Sequence, residues 1–320
     1  MQILYDLSGT DLTQETVLTI GAFDGLHLGH QELLRRLVRR ARHTGRLSGV
    51  VTFDPLPRAV LSASNNIICL STTEEKAHLL ESLGLDVLVV LPFTPQLAAT
   101  SAHDFMQMLY RHLRMSELWI GWDFALGRGR EGDATALRRL GRSMGFQVHV
   151  IAPVAVRPAS DRSSRIRRDG AEGETVISST QIRKLLSEGM VREATEMLGR
   201  YHRLQGDVVR GTGQDSELGF PTANLQLPLH CAIPASGVYA TYVTVGTQRH
   251  PAVANINVPP SPGAERRIGL HLLGFSGDLI GRQITVQFVE RLRPQRRFAT
   301  AEALRAQIGD DVSSAREILE

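Results

Sequence analysis

The chain has few cysteines and no long apolar run, and each absence excludes a class of protein. Only Cys69 and Cys231 occur among its 320 residues, far apart and without metal-ligand spacing. This excludes a disulfide scaffold and a zinc site, and we expect both thiols to be buried and structural. The longest strongly apolar run, residues 87–93, is far below the roughly 20 residues that span a bilayer.

The chain also lacks a strong surplus of charge. Its 36 basic and 33 acidic residues leave a formal net charge of +3, and the arginines are spread along the chain. Nucleic-acid-binding proteins usually concentrate basic residues in one patch, so we expect no nucleic-acid partner. No basic region precedes an apolar run at the start, so we expect no signal peptide, no membrane association and a cytoplasmic protein. The oligomeric state is left open.

The first half alternates predicted strands with predicted helices. Apolar runs predict strands at 17–20, 49–53, 87–91, 118–121 and 148–151. Helical spacing predicts helices at 74–83, 102–113 and 134–144, and a first helix that buries Leu33, Leu34, Leu37, Val38 and Ala41. This alternation indicates a parallel sheet covered on both faces, with ligands at the carboxyl ends of its strands.

The pattern changes after residue 151. Residues 155–175 are polar and arginine-rich, and we expect a flexible surface loop, with a phosphate-facing lid as the alternative. A helical stretch at 181–198 follows. Short runs between Gly and Pro then predict a small β-barrel, with strands at 204–209, 237–245, 252–256, 268–273 and 284–288 and a last helix at 301–319. We predict domains at 1–186 and 203–320, joined by a helical linker at 187–202.

The strongest motif follows the first predicted strand and opens the first helix. It reads Gly21-Ala22-Phe23-Asp24-Gly25-Leu26-His27-Leu28-Gly29-His30. Its glycines let the backbone turn tightly, and a helix N-terminus presents N–H groups to an anion. His27 and His30 can face one phosphate and stabilise charge that develops on it, without a protein nucleophile. A glycine-rich turn with capping histidines is the alternative.

A second cluster supports the first. The segment Ile177-Ser178-Ser179-Thr180-Gln181-Ile182-Arg183 places three hydroxyl residues just before a predicted helix. Capping of that helix needs only one of them. Arg183, one turn in, would project towards a bound polyphosphate.

The two motifs together resemble the HxGH nucleotidyltransferase superfamily, and more narrowly the prokaryotic FAD synthetases, which are bifunctional riboflavin kinase/FMN adenylyltransferases. Segments 52–57 (TFDPLP), 91–94 (LPFT), 121–127 (GWDFALG) and 132–133 (GD) match in order and spacing. The resemblance implies a Rossmann-like domain that transfers AMP from ATP to FMN, giving FAD and pyrophosphate with Mg²⁺. It implies catalytic roles for His27, His30 and Arg183. It also implies ATP contacts from Gly21, Phe23, Asp24, Gly25, Gly29, Asp123, Ser178, Ser179 and Thr180.

Two residues of the first domain depart from the family pattern. Ala22 stands where the family often has Asn. Leu56 replaces the His of the family's Thr-Phe-(Asp/Glu)-Pro-His-Pro motif, which removes a polar group near the flavin phosphate. The second change could alter the affinity or the acceptor.

The second domain resembles riboflavin kinase, a six-stranded barrel. The family signature is present as Leu218-Gly219-Phe220-Pro221-Thr222-Ala223-Asn224-Leu225, and segments 237–240 and 292–298 also match. The resemblance implies that Thr222 and Asn224 hold Mg²⁺ and ATP phosphate. A Pro-containing loop whose polar side chains bond its own backbone is the alternative.

The positions that carry kinase chemistry in that family are changed. Its Gly-x-Gly-Arg-Gly-Arg loop reads GTGQDS at 211–216, which removes two positive charges and adds Asp215. Both acids of its Val-Glu-x-His-Leu-Leu-Asp-Phe strand become glycine, at Gly269 and Gly274, and Ile280 replaces a Tyr. Losing a general base typically costs ~10²–10⁴-fold in rate. Glu265 is near, but the Leu-Leu-x-Phe anchor sets the register against it as a substitute.

We therefore expect an FMN adenylyltransferase that uses ATP, FMN and Mg²⁺, with a kinase-like domain of weak or no activity. One alternative is a fully bifunctional enzyme that also phosphorylates riboflavin. A second is a non-catalytic flavin- or nucleotide-binding protein, and a third is a nucleotidyltransferase for another phosphorylated acceptor.

Overall fold

The computed structural model describes residues 1–7, 12–61, 68–156, 166–167, 175–210, 220–228, 230–257 and 267–320. The chain divides into two compact units, Met1–Ser179 and Thr180–Glu320. The predicted domain limits and the linker between them stay a prediction.

The first unit is an α/β unit around a six-stranded sheet. Its sheet strands are β1 (Gln2–Leu4), β2 (Thr16–Ile20), β3 (Leu47–Phe53), β4 (Val87–Leu91), β5 (Met115–Gly121) and β6 (Gln147–Ile151). Its helices are α1 (Leu28–His43), α2 (Pro57–Leu61), α3 (Thr73–Ser82), α4 (Pro95–Ala98), α5 (Ala102–Leu113) and α6 (Ala134–Met144).

The sheet is parallel throughout, in the order β1-β4-β3-β2-β5-β6. From β2 the chain moves outwards to β3 and β4, and it then returns to the other side of β2 with β5 and β6. The order reverses between β2 and β5, and open α/β sheets bind ligands beyond the carboxyl ends of their strands at such a point. The predicted Rossmann-like fold class is confirmed.

The helices pack on the sheet through the faces that the periodicity predicted. α1 buries Leu33, Leu34, Leu37, Val38 and Ala41, and all five residues of β4 are buried. Local capping sets where several helices begin. The side chains of Thr72, Ser101 and Asp133 each accept a backbone N–H three residues on, at the starts of α3, α5 and α6.

A buried carboxylate fixes α1 to the sheet. Glu117 of β5 accepts hydrogen bonds from Arg40 of α1, at 2.9 Å from Nε, and from Arg46 just beyond it, at 3.0 Å from Nη1. Glu117 is 1% exposed, whereas Arg40 and Arg46 are 36% and 28% exposed, so losing both arginines would leave a buried carboxylate without compensation. The network therefore holds α1, whose N-terminus opens the candidate site, against the sheet.

The second unit is a closed six-stranded antiparallel barrel with helices, and the predicted barrel is confirmed. The strands are β10 (His202–Val209), β11 (Ala223–Gln226), β12 (Gly237–Val245), β13 (Gln248–Ile256), β14 (Arg267–Leu272) and β15 (Gln283–Pro294). They close in the order β10-β11-β14-β13-β12-β15. The helices are α7 (Ser179–Glu188), which begins at the last residue of the first unit, α8 (Val191–Leu198) and α9 (Ala301–Leu319).

Buried aromatic rings and an ion pair hold the barrel together. Tyr239 of β12 and Phe288 of β15 are fully buried and meet edge to face, with ring centroids 5.6 Å apart. Arg293 of β15 donates from Nη2 to a carboxylate oxygen of Asp311 at 2.7 Å and from Nε to both carboxylate oxygens, which ties α9 to the barrel wall.

Three predictions of elements need correction. The expected loop at 155–175 contains three short antiparallel strands, β7 (Ala155–Val156), β8 (Ile166–Arg167) and β9 (Thr175–Val176), in the order β8-β7-β9. Its remaining residues, 157–165 and 168–174, lie outside the described residues. The single helical stretch at 181–198 is two helices, because Gly189 adopts a left-handed φ of 79° that ends α7. The strands β1 and β11 were not predicted at all.

Other differences are smaller. The strands predicted to start at 49, 118 and 252 begin earlier, at Leu47, Met115 and Gln248. Cys69 and Cys231 are only partly buried and form no disulfide, so the prediction of buried thiols was wrong in degree.

Candidate active site

The loop that follows β2 has an unusual backbone. Phe23, Gly25 and Leu26 all have left-handed φ angles, of 46°, 75° and 40°. For Phe and Leu this conformation is costly, and it persists only where the surroundings impose it. Both side chains are buried in the core that packs under α1, which supplies that constraint. The strained turn brings the chain from β2 directly to the N-terminus of α1.

Two histidines stack at that N-terminus. The rings of His27 and His30 lie with centroids 3.6 Å apart and planes inclined by 18°. His27 caps α1, since its Nδ1 accepts the backbone N–H of His30 at 3.4 Å. The proton of a neutral His27 ring therefore lies on Nε2. The capping role that the sequence left as an alternative is therefore present. The hydrogen bond that caps the helix also orients the His27 ring.

His30 has an unmet hydrogen-bonding group. Its Nδ1 is buried and makes no hydrogen bond to any residue that the structure describes. Burial lowers the pKa of His30 well below 6.5, and the neighbouring charges of His27 and Lys76 lower it further. The ring is therefore neutral at pH 7, and an anion bound beside it would raise its pKa.

The glycines of the loop leave room for these rings. A Cβ at Gly29 would lie 3.2 Å from both Cε1 and Nδ1 of His27, and a Cβ at Gly21 would lie 3.1 Å from the ring of Phe23. Phe23 in turn packs edge to face on His30, with centroids 5.0 Å apart. The motif is thus a packed unit in which the glycines set the spacing.

Asp24 joins the loop to two other segments. Its Oδ1 accepts the backbone N–H groups of Leu70 and Ser71, at 2.9 and 3.2 Å. Its carbonyl oxygen accepts the hydroxyl of Ser179 at 2.9 Å, so Ser179 lies against the loop, and its contact with ATP stays a prediction. The side chain of Asp24 therefore holds the protein's own backbone, and this was not anticipated from the sequence.

The remaining residues predicted to contact ATP lie after β5 and at the start of α7. Asp123 is exposed just beyond the carboxyl end of β5, the strand beside β2, and its carbonyl accepts Arg130 Nη2 at 3.2 Å. Ser178 is partly buried next to Ser179. Thr180 and Arg183 follow on α7 within the second unit, and their contacts with ATP stay predictions.

Lys76 is a residue that the motifs did not reveal. It is buried on α3 and donates to the hydroxyl of Thr52 at 3.2 Å, and that hydroxyl donates to the carbonyl of Ala22 in the loop, also at 3.2 Å. Its sequence signal is weak but present, because Lys76 is four residues before Leu80 on the buried face of α3. Leu56, the departure from the family motif, is also buried.

The structure places the predicted kinase-site positions of the barrel on neighbouring strands or next to them. Asn224 of β11 pairs with Gly269 of β14, which pairs with Asn255 of β13. Thr222 donates to the carbonyl of Phe220 at 3.0 Å, the backbone bond that the sequence left as an alternative. Gly274, the other position where the family has an acid, borders open space, because an added Cβ there would have no atom within 4 Å. Residues 211–219 and Glu265 lie outside the described residues.

The predicted Mg²⁺ contacts of Thr222 and Asn224 stay predictions. Within the described ranges no three His, Cys, Asp or Glu side chains cluster as metal ligands. Thr222 gives its proton to Phe220, so its oxygen can coordinate a cation, and Asn224 offers an amide oxygen. Magnesium usually takes one or two carboxylates together with substrate phosphates. The two neutral oxygens fit such a site only alongside a nucleotide.

Comparisons with known proteins agree with the two-unit architecture. Residues 10–165 match the FAD synthetase family model, and residues 198–319 match the riboflavin kinase model. The bifunctional riboflavin kinase/FMN adenylyltransferase of Pseudomonas fluorescens is 36% identical over 305 residues, covering 94% of this chain and 92% of the relative. That of Haemophilus influenzae is 32% identical, covering 99% and 98%.

A solved structure extends the likeness to three dimensions. It is described as a macrolide-efflux protein from Streptococcus pneumoniae, with a TM-score of 0.85, 26% identity and 98% coverage of both chains. The fold and the histidine loop define a nucleotidyltransferase-type unit followed by a flavokinase-type barrel. The chain belongs to the bifunctional riboflavin kinase/FMN adenylyltransferase family. No helix within the described ranges is long and apolar enough to cross a bilayer.

Proposed function

We propose that the first unit transfers AMP from ATP to FMN, giving FAD and pyrophosphate, and that the barrel has weak or no riboflavin kinase activity. The observation that carries the first part is the pair of stacked histidines, with ring centroids 3.6 Å apart, at the helix N-terminus beside the reversal point of the sheet.

In this reaction an oxygen of the FMN phosphate attacks the α-phosphorus of ATP. The bond from the α-phosphorus to the bridging oxygen breaks, and pyrophosphate leaves. The histidines would donate ring N–H groups to phosphate oxygens as negative charge shifts towards the leaving group. The N–H groups at the start of α1 would add to that field. Mg²⁺ bound with the nucleotide would neutralise part of the phosphate charge.

The second part rests on the barrel. Gly269 has no proton acceptor for the ribityl hydroxyl, and its paired neighbours, Asn224 and Asn255, carry neutral amides. Phosphoryl transfer needs both a group that accepts this proton and positive charge around the phosphates. The predicted loss of charge at 211–216 lies outside the described residues.

A fully bifunctional enzyme is the second candidate. The relatives' names and the complete barrel favour it. Incubating the protein with Mg-ATP and either FMN or riboflavin, and separating the flavins by chromatography, distinguishes the two. We expect FAD from FMN and little FMN from riboflavin.

One variant tests the proposed site. His30→Ala should lower FAD formation by on the order of 10²-fold or more, as the loss of a charge-stabilising contact does. His103→Ala is the matched control, because His103 is exposed on α5. Near-normal FAD formation by the His30 variant would show that the reaction occurs elsewhere. Turnover of another phosphorylated acceptor in preference to FMN would redirect the proposal to that acceptor.

A further inference from the structure

Lys76 is one of only two lysines in the chain, and it is 2% exposed. Lysine is almost never fully buried unless it is paired. Its ammonium group has three donors, yet among the residues that the structure describes it makes one hydrogen bond, to Thr52 at 3.2 Å. Within the described ranges no carboxylate lies at ion-pair distance from it. The described residues therefore leave this cation undercompensated.

The charged and titratable groups around Lys76 are few. The carboxylates of Asp24 and Asp54 and the thiol of Cys69 raise its pKa, but burial has the larger effect and lowers it from 10.5. Both carboxylates are already in use. Asp24 accepts two backbone N–H groups, and Asp54 accepts the Thr73 hydroxyl at 2.7 Å.

Lys76 and His30 adjoin the same loop, and each has hydrogen-bonding capacity that the described residues leave unused. Lys76 reaches the loop through Thr52, whose hydroxyl donates to the carbonyl of Ala22, and its charge lowers the pKa of His30. The buried Nδ1 of His30 has no partner among the residues that the structure describes. A polyoxygen anion at this loop would supply acceptors and negative charge to both groups.

We propose that the ammonium group of Lys76 contacts a phosphate group of the substrates in the first unit. The identity of those substrates rests on the proposed function. Two sources are chemically equivalent, the polyphosphate of ATP and the phosphate of FMN. Thr52 connects Lys76 to the nucleotide loop at Ala22, and it also begins the 52–57 segment that the family resemblance associates with the flavin phosphate.

A purely structural role makes the opposite prediction about stability. If Lys76 only tied α3 to β3, removing its charge would lower the stability and leave phosphate binding intact. If Lys76 instead binds a substrate anion, removing its charge would remove the desolvation cost that the free protein bears. The stability would then be unchanged or higher, because replacing a buried charge by apolar atoms is often neutral or stabilising.

The first experiment measures FAD formation and thermal unfolding of Lys76→Met in the full chain. Methionine retains a similar length without the charge. We expect kcat/KM to fall by about 10–100-fold, with the KM of one substrate raised and the Tm no lower than that of the wild type. Lys184→Met, on an exposed residue, is the control and should change neither. Normal kcat/KM in the Lys76 variant would overturn the proposal.

The second experiment does not depend on turnover or on the folding of a variant. Protein labelled with ¹³C at lysine Cε gives two side-chain resonances, because the chain has two lysines, and Lys184→Arg assigns them. We expect pyrophosphate or FMN to shift the Lys76 resonance and to raise the pKa of Lys76, and riboflavin, which has no phosphate, to do neither.

The arms of this titration separate the outcomes. A response to pyrophosphate identifies the nucleotide phosphates, and a response to FMN alone identifies the flavin phosphate. No response to either overturns the proposal. If the wild type makes no FAD but Lys76 responds to pyrophosphate, the proposed function fails and this inference stands.

Discussion

Restoring an acid at position 269 is the sharpest test of the barrel's chemistry. Gly269 lies in β14 between Asn224 and Asn255 on the neighbouring strands. A Cβ at this position would lie 3.1 Å from Cγ2 of Thr222 and 3.9 Å from Cβ of Asn255. A glutamate there would therefore extend beside Thr222, the residue that the family resemblance assigns to the phosphate site.

The geometry sets the size of the effect. At 3.1 Å the methyl group of Thr222 must shift by a few tenths of an ångström, and its bond to the Phe220 carbonyl opposes the shift. Losing that bond would cost about 1 kcal/mol, or roughly fivefold in an equilibrium. A general base typically contributes ~10²–10⁴-fold in rate. We therefore expect Gly269→Glu to raise FMN formation by about tenfold or more.

The assay follows FMN formed from riboflavin and Mg-ATP, separated by chromatography. Gly269→Gln is the matched control, because it has the same size and no carboxylate. If the loop charge matters as well, full rescue should need Gln214→Arg and Ser216→Arg alongside Gly269→Glu. Equal rates for the Glu and Gln variants, or robust FMN formation by the unmodified protein, would refute the reasoning.

Two further predictions concern packing and pH. Gly29→Ala should lower FAD formation by about tenfold or more, because its Cβ would press on His27 at 3.2 Å and displace a ring of the proposed active site; an unchanged rate would contradict this. Burial lowers the pKa of His202 from 6.5 to about 4, so the unfolded chain takes up its proton first as the pH falls. The barrel should lose up to about 3 kcal/mol of unfolding free energy between pH 6.5 and 4 and no more from this group below pH 4. Denaturant unfolding over this range checks it, with a flatter profile expected for His202→Leu.

Local patterns in the sequence determined much of the architecture. The predicted limits at 87–91, 102–113, 134–144 and 237–245 agree with β4, α5, α6 and β12. These elements have a buried run or a periodic apolar face, and polar caps such as Ser101 and Asp133 begin two of the helices. Such signals lie within a few residues of each other, so they survive in the sequence alone.

The histidine motif, likewise, was visible because its members are contiguous. The tertiary structure decided what depends on distant partners. Ala223–Gln226 is a strand only because β10 and β14 bond it on both sides. The side chain of Asp24 accepts hydrogen bonds from backbone amides 46 and 47 residues away. The stacking of His27 on His30 needs the strained turn that precedes them. Lys76 shows the physical reason most clearly. Whether a charge is buried and what compensates it depend on every neighbour in space, and those neighbours are set only when the sheet, the helices and the loop have packed together.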